Sequence, residues 1–132
     1  MSAYCLDTSA YSNFLRGNEE VATLLDQAES VGVPTIALGE LRTGFLLGGR
    51  WQRNETELEA FLANPVVEVL QVDSETSRRY AEIVAELRRA GTPLPTNDIW
   101  IAASAARVGA TVLTCDEHFE RIGRVGSIVV PA

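Results

Sequence analysis

Four acidic residues stand out by where they fall along the chain: Asp7, Glu40, Asp98 and Asp116. Asp7 directly follows the apolar run Ala3-Tyr4-Cys5-Leu6, and Asp116 follows Thr111-Val112-Leu113-Thr114-Cys115. If both runs are strands of an open α/β sheet, both acids lie at its carboxyl edge, where such sheets place their functional crevice. Asp98 precedes Ile101 and Ala102 by three and four residues, so on a helix it shares their inward face, out of phase with solvent. Glu40 opens a helix on which Gly44 shares its face. A helical glycine costs roughly 1 kcal/mol against alanine, which predicts a close approach there. Each acid also has a plainer reading. Asp7 and Asp116 suit helix N-caps, Asp98 gains from the dipole of a first turn, and Glu40 suits a capping turn.

Gathered at one edge, the four would repel. At an effective dielectric near 20, two charges about 4 Å apart cost about 4 kcal/mol. Such a cluster takes up protons or holds a cation. With one or two Mg²⁺ or Mn²⁺ ions it suits attack on a phosphodiester, because the metal activates water and neutralises phosphate charge. Oxygen ligands point to those hard ions. Cys5 and Cys115 have no zinc-type spacing, His118 is the only histidine, and the cysteines read as free thiols.

All 11 basic residues are arginine. The absence of lysine excludes a P-loop nucleotide site. It also counts against phosphoaspartate proteins, which share the acid after the first strand but rely on a nearby lysine. The net charge of −7 argues against a nonspecific nucleic-acid coat protein, though not against a nuclease with a local acidic site.

The elements that must position these residues alternate. Strands are predicted at 3–6, 33–36, 66–72, 111–114 and 127–130. Helices are predicted at 11–16, 19–30 (ended by Gly32), 38–47, 55–63, 74–90 and 96–108, with a short one at 116–121. Arg78, Arg79, Arg88 and Arg89 are expected on a solvated helix face balanced by Glu82 and Glu86. This pattern predicts one α/β domain over residues 1–132, with a mainly parallel sheet. No apolar run is long enough for a membrane span. Met1 leads into the first strand without a basic leader or cleavage site, so a cytoplasmic protein is expected.

Four stretches together resemble the PIN-domain ribonucleases, and most of all the small VapC toxins of toxin–antitoxin modules. They are Leu6-Asp7-Thr8-Ser9, Glu40-Leu41-Arg42-Thr43-Gly44, Thr96-Asn97-Asp98-Ile99-Trp100-Ile101-Ala102-Ala103, and Leu113-Thr114-Cys115-Asp116-Glu117-His118-Phe119. The resemblance covers almost the whole chain. It implies a three-layer α/β/α fold around a five-stranded sheet. It also implies Mg²⁺- or Mn²⁺-dependent endonucleolytic cleavage of RNA, with Asp7, Glu40, Asp98 and Asp116 as catalytic metal ligands. Ser9 and Thr114 match small hydroxyl residues that would orient a carboxylate or water. Where some relatives carry a further acid past the last one, this chain has Glu117 and His118.

The family further implies a homodimer and a VapB-type antitoxin that blocks the site. Trp51, Phe45 and Leu46 are candidates for those contacts, with core packing the preferred reading of Phe45. Arg16, Arg42, Arg50 and Arg53 are candidates to rim an RNA groove, since the planar guanidinium suits phosphate. The alternative function is a catalytically inactive PIN-type module that binds RNA or an antitoxin.

Overall fold

The first strand, β1 (Ala3–Leu6), lies at the centre of a five-stranded sheet in the order β3-β2-β1-β4-β5, in a computed structural model that describes residues 2–132. Met1, the start of the leader-free reading, lies outside the described residues. The other strands are β2 (Ser30–Pro34), β3 (Val67–Leu70), β4 (Thr111–Thr114) and β5 (Ser127–Val129), and every pairing is parallel. The first three strands step outward to one side of β1, and the last two to the other. The order therefore reverses between β1 and β4, and a crevice opens beyond their carboxyl ends.

Six α-helices connect and flank the strands: α1 (Thr8–Leu15), α2 (Glu19–Asp26), α3 (Thr35–Leu47), α4 (Trp51–Leu62), α5 (Ser74–Ala90) and α6 (Thr96–Val108). They lie on both faces of the sheet, giving the expected three layers. A 3₁₀ turn, Glu117–Arg121, follows β4. The α6 sequence buries Ile99 and every residue from Ile101 to Ala105. Its small side chains let it contact β1, β2 and β4 together, and Gly109 ends it in the left-handed conformation open to glycine. Apolar residues of strands and helices form one buried cluster, with Leu6, Val33, Ile101, Val112 and Leu113 almost fully enclosed. Among the described residues no helix is long and apolar enough to cross a membrane.

Several boundaries differ from the sequence reading. The second strand runs over Ser30–Pro34, not 33–36, because Ala3, Tyr4 and Cys5 pair with Ser30, Val31 and Gly32. Pro34 then caps α3, its ring-fixed φ of −62° leading into the helix at Thr35. Gly32 does not end α2, which stops at Asp26. It sits inside β2, where an added Cβ would lie 2.6 Å from Leu70 Cδ1. Gly44 is the converse case, since a Cβ there would meet nothing within 4 Å. The close approach predicted at 44 is absent, and the one that exists is at 32. The fourth helix starts at Trp51 rather than 55. Glu82 and Glu86 balance Arg124, at 2.9 and 2.7 Å, whereas Arg78 and Arg79 pair with Glu75. Cys5 is buried, Cys115 is half-buried, and both are free thiols.

Candidate active site

The carboxyl ends of β1 and β4 meet side by side. Leu6 pairs with Leu113, and the Asp7 amide donates to the Leu113 carbonyl at 3.2 Å. This brings Asp7 beside Thr114 and Asp116. Asp7 is 4% exposed and caps α1, with Oδ1 accepting from the Ala10 amide at 2.9 Å. Its capping and its place at the sheet edge are therefore one arrangement rather than rival readings. The Thr114 hydroxyl donates to Asp7 Oδ2 at 2.6 Å, and the Ser9 hydroxyl reaches both carboxylate oxygens at 2.9 and 3.0 Å.

The two hydroxyls also fasten the β4 end. Thr114 Oγ1 accepts from the Asp116 amide at 2.9 Å, and Ser9 Oγ accepts from the Cys115 amide at 3.0 Å. Asp116 caps the 3₁₀ turn, accepting from the His118 amide at 2.9 Å. Glu40, on α3, takes a hydrogen bond from the Thr8 hydroxyl at 2.6 Å and one from the Asn97 side-chain amide at 3.3 Å. It is thus tied on one side to the residue after Asp7 and on the other to the residue before Asp98.

Asp98 enters from the first turn of α6, half-buried as its helical phase predicts. Its Oδ2 lies 3.1 Å from His118 Nδ1, and that same nitrogen lies 3.1 Å from Asp116 Oδ2. Donor atoms of Asp98, Asp116 and His118 all lie within 4.8 Å of one another. Asp7 and Glu40 stand outside this tightest group, next to it. His118 is the residue that sequence reasoning set aside as a ligand; its one local signal was its place close behind Asp116.

Negative charge in this crevice is poorly compensated. Burial pushes the Asp7 carboxyl above the ordinary carboxylate range against the pull of Thr114, Ala10 and Ser9, and the Asp98 charge pushes the same way. Burial likewise raises Asp98. The His118 contact opposes this, while Asp116 and Glu40 add to it. Buried or half-buried carboxylates that resist ionisation, beside a set of oxygen donors and one imidazole, are the donor chemistry of a divalent-cation site.

Two cavities flank the acids. One, of about 600 Å³, is lined by Thr8, Ser12, Leu15, Arg16, Glu40, Leu41, Gly44, Phe45, Arg50, Arg53, Asn54 and Glu57. The other, of about 560 Å³, is lined by residues that include Ser9, Asn13, Asp116, His118 and Arg121. Arg16, Arg50 and Arg53 thus border the first cavity. Arg42 does not, since its guanidinium binds Glu55 and Glu59 at 2.9 Å each. Phe45 is buried as expected, whereas Leu46, Leu47 and Trp51 are exposed around the α3–α4 turn.

A family model described as the PIN domain matches residues 4–125. Ribonuclease VapC4 of Mycobacterium tuberculosis is 33% identical over 99 residues, which cover 75% of this chain and 76% of that protein. Plasmid stability protein StbB of Pseudomonas syringae pv. tomato is 38% identical over 128 residues, 89% of this chain and 91% of that protein. The DNA-bound VapBC structure from Salmonella typhimurium superposes with a TM-score of 0.85 at 27% identity, covering 98% of each chain. With the strand order, the crevice and these likenesses taken together, the chain belongs to the PIN-domain family and, within it, to the VapC group.

Proposed function

We infer that the protein is a divalent-metal-dependent endoribonuclease and the toxin of a toxin–antitoxin pair. The observation that carries this reading is the convergence of Asp7, Glu40, Asp98 and Asp116 on the crevice between β1 and β4, in a chain of the family that includes ribonuclease VapC4. The four acids would hold Mg²⁺ or Mn²⁺. When bound, such an ion supplies Lewis acidity and neutralises charge on a scissile phosphate.

The chain's own residues do the rest. Ser9 and Thr114 hold the Asp7 carboxylate in one orientation, and Thr8 and Asn97 do the same for Glu40. Orientation fixed before substrate arrives avoids reorganisation during the reaction. Arg16, Arg50 and Arg53 border the first cavity, where their guanidinium groups suit the phosphates of an RNA strand leading to the acids, Arg53 in exchange for Glu57, which holds it at 3.3 Å. Arg42 is committed to Glu55 and Glu59 and contributes to RNA only if that ion pair opens.

The partner is a VapB-type antitoxin, as in the VapBC complex from Salmonella typhimurium. Exposed Leu46, Leu47 and Trp51 supply apolar surface for that partner or for a second copy in a homodimer. The cytoplasm, where RNA and antitoxin meet, is the fitting location.

The test is cleavage of RNA by purified protein with Mg²⁺ or Mn²⁺. EDTA and Asp7→Asn should each abolish it, and the cut should leave a 5′-phosphate and a 3′-hydroxyl. Cleavage that survives both treatments, or that leaves a 2′,3′-cyclic phosphate, would overturn the mechanism. An inactive protein that still binds antitoxin would instead be a binding module.

A further inference from the structure

His118 is the one imidazole among the acids of the crevice. Its backbone amide pins Asp116 Oδ1 at 2.9 Å, while its ring Nδ1 stands 3.1 Å from Asp98 Oδ2 and 3.1 Å from Asp116 Oδ2. One residue thus addresses both carboxylates from a 3₁₀ turn whose start Asp116 itself caps. The ring is 39% exposed, so the group opens to solvent and an ion can reach it. Neighbouring ligands of an octahedral ion held at about 2.0–2.1 Å stand about 2.9 Å apart. The two observed spacings are close to that value.

Resting on the metal-dependent reading above, we propose that His118 is a direct nitrogen ligand, through Nδ1, to a divalent cation shared with Asp98 and Asp116, and that it shifts the site's preference from Mg²⁺ toward first-row transition ions. Imidazole is a softer donor than carboxylate, and Mg²⁺ takes oxygen ligands and keeps its waters. An oxygen-only set accepts Mg²⁺ readily, whereas replacing one oxygen by an imidazole favours Mn²⁺ and the ions beyond it. Glu117 and Arg121 line the second cavity with His118; the guanidinium cannot ligate a cation, and Glu117 adds a further oxygen donor at its rim.

The chain has a single histidine, which makes the test direct. Tag-free protein, stripped of metal and loaded with Mn²⁺, is measured by pulsed electron paramagnetic resonance. The expected spectrum carries the nitrogen coupling of one imidazole, and no variant is needed to assign it. In His118→Asp the coupling vanishes, and the ratio of Mn²⁺ to Mg²⁺ affinity, read by competition, falls about ten-fold or more. Mn²⁺ bound with no nitrogen coupling, and an unchanged affinity ratio in His118→Asp, would overturn the assignment and leave the metal-dependent reading standing. A wild-type chain that binds Mg²⁺ but not Mn²⁺ would overturn the assignment alone, and one that binds neither ion would overturn both.

Discussion

Thr114 donates its hydroxyl hydrogen to Asp7 Oδ2 at 2.6 Å while accepting from the Asp116 amide at 2.9 Å. One buried hydroxyl on β4 therefore links the acid after β1 to the acid after β4, although Asp7 and Thr114 are 107 residues apart. Thr114→Ala should lower cleavage about 10–100-fold, the usual loss when the support of a metal ligand is removed. It should also cost about 1–3 kcal/mol in stability, since two polar partners lose their hydrogen bond. Thr114→Ser keeps the hydroxyl and should retain most activity. Cleavage rates and urea melts of the two variants, side by side, separate the hydroxyl from the methyl.

Asp98 supplies a pH test. Burial holds it above the ordinary value of 3.8, with Asp116 and Glu40 adding to the effect and His118 opposing it. The metal-free fold therefore binds this proton more tightly than the unfolded chain does. The group's contribution to stability is highest below pH 3.8 and declines as pH rises from there through the folded value. In EDTA, Asp98→Asn should melt at a higher temperature than wild type at neutral pH, and the gap should close toward pH 4. Saturating divalent cation should reverse the order, because it stabilises only the chain that keeps the ligand. Melting curves across pH, with and without metal, read both effects.

The arginines should separate by salt dependence. Arg16→Ala and Arg50→Ala should each weaken RNA binding across sequences, and Arg53→Ala should do so less, because Glu57 already holds its guanidinium at 3.3 Å. Each should also reduce the slope of log affinity against log salt by about one for every phosphate left unneutralised. Arg42→Ala should leave that slope unchanged, because its guanidinium is held by Glu55 and Glu59. Binding to an inactive Asp7→Asn background, measured at several salt concentrations, gives the slopes.

Gly32 is a test of the fold rather than the site. A methyl group there would lie 2.6 Å from Leu70 Cδ1 and 2.9 Å from Leu70 Cγ, inside the buried sheet face. Gly32→Ala should destabilise by about 1–3 kcal/mol, as overpacked cores do. Adding Leu70→Ala should recover part of the loss. Non-additive melts in this double-mutant cycle would establish the steric coupling.

Residue order alone was enough to read the alternation of strands and helices, the parallel sheet and the two acids at strand ends. Those features follow from local periodicity and from a topological rule, and neither needs long-range detail. Asp98 was also legible on an inward face, because helical phase is a local property. What each side chain touches emerged only from the packing of the elements. Packing drew His118 between Asp98 and Asp116, made Thr114 a shared support and engaged Arg42 with Glu55 and Glu59. It also put the tight glycine at 32 rather than 44. Each of these depends on how separate elements stack, and residues distant in the chain carry no local mark of their neighbours. The acidic crevice was therefore legible in outline, while the imidazole at its centre was not, because a histidine two residues past an acid is also what an ordinary 3₁₀ turn would carry.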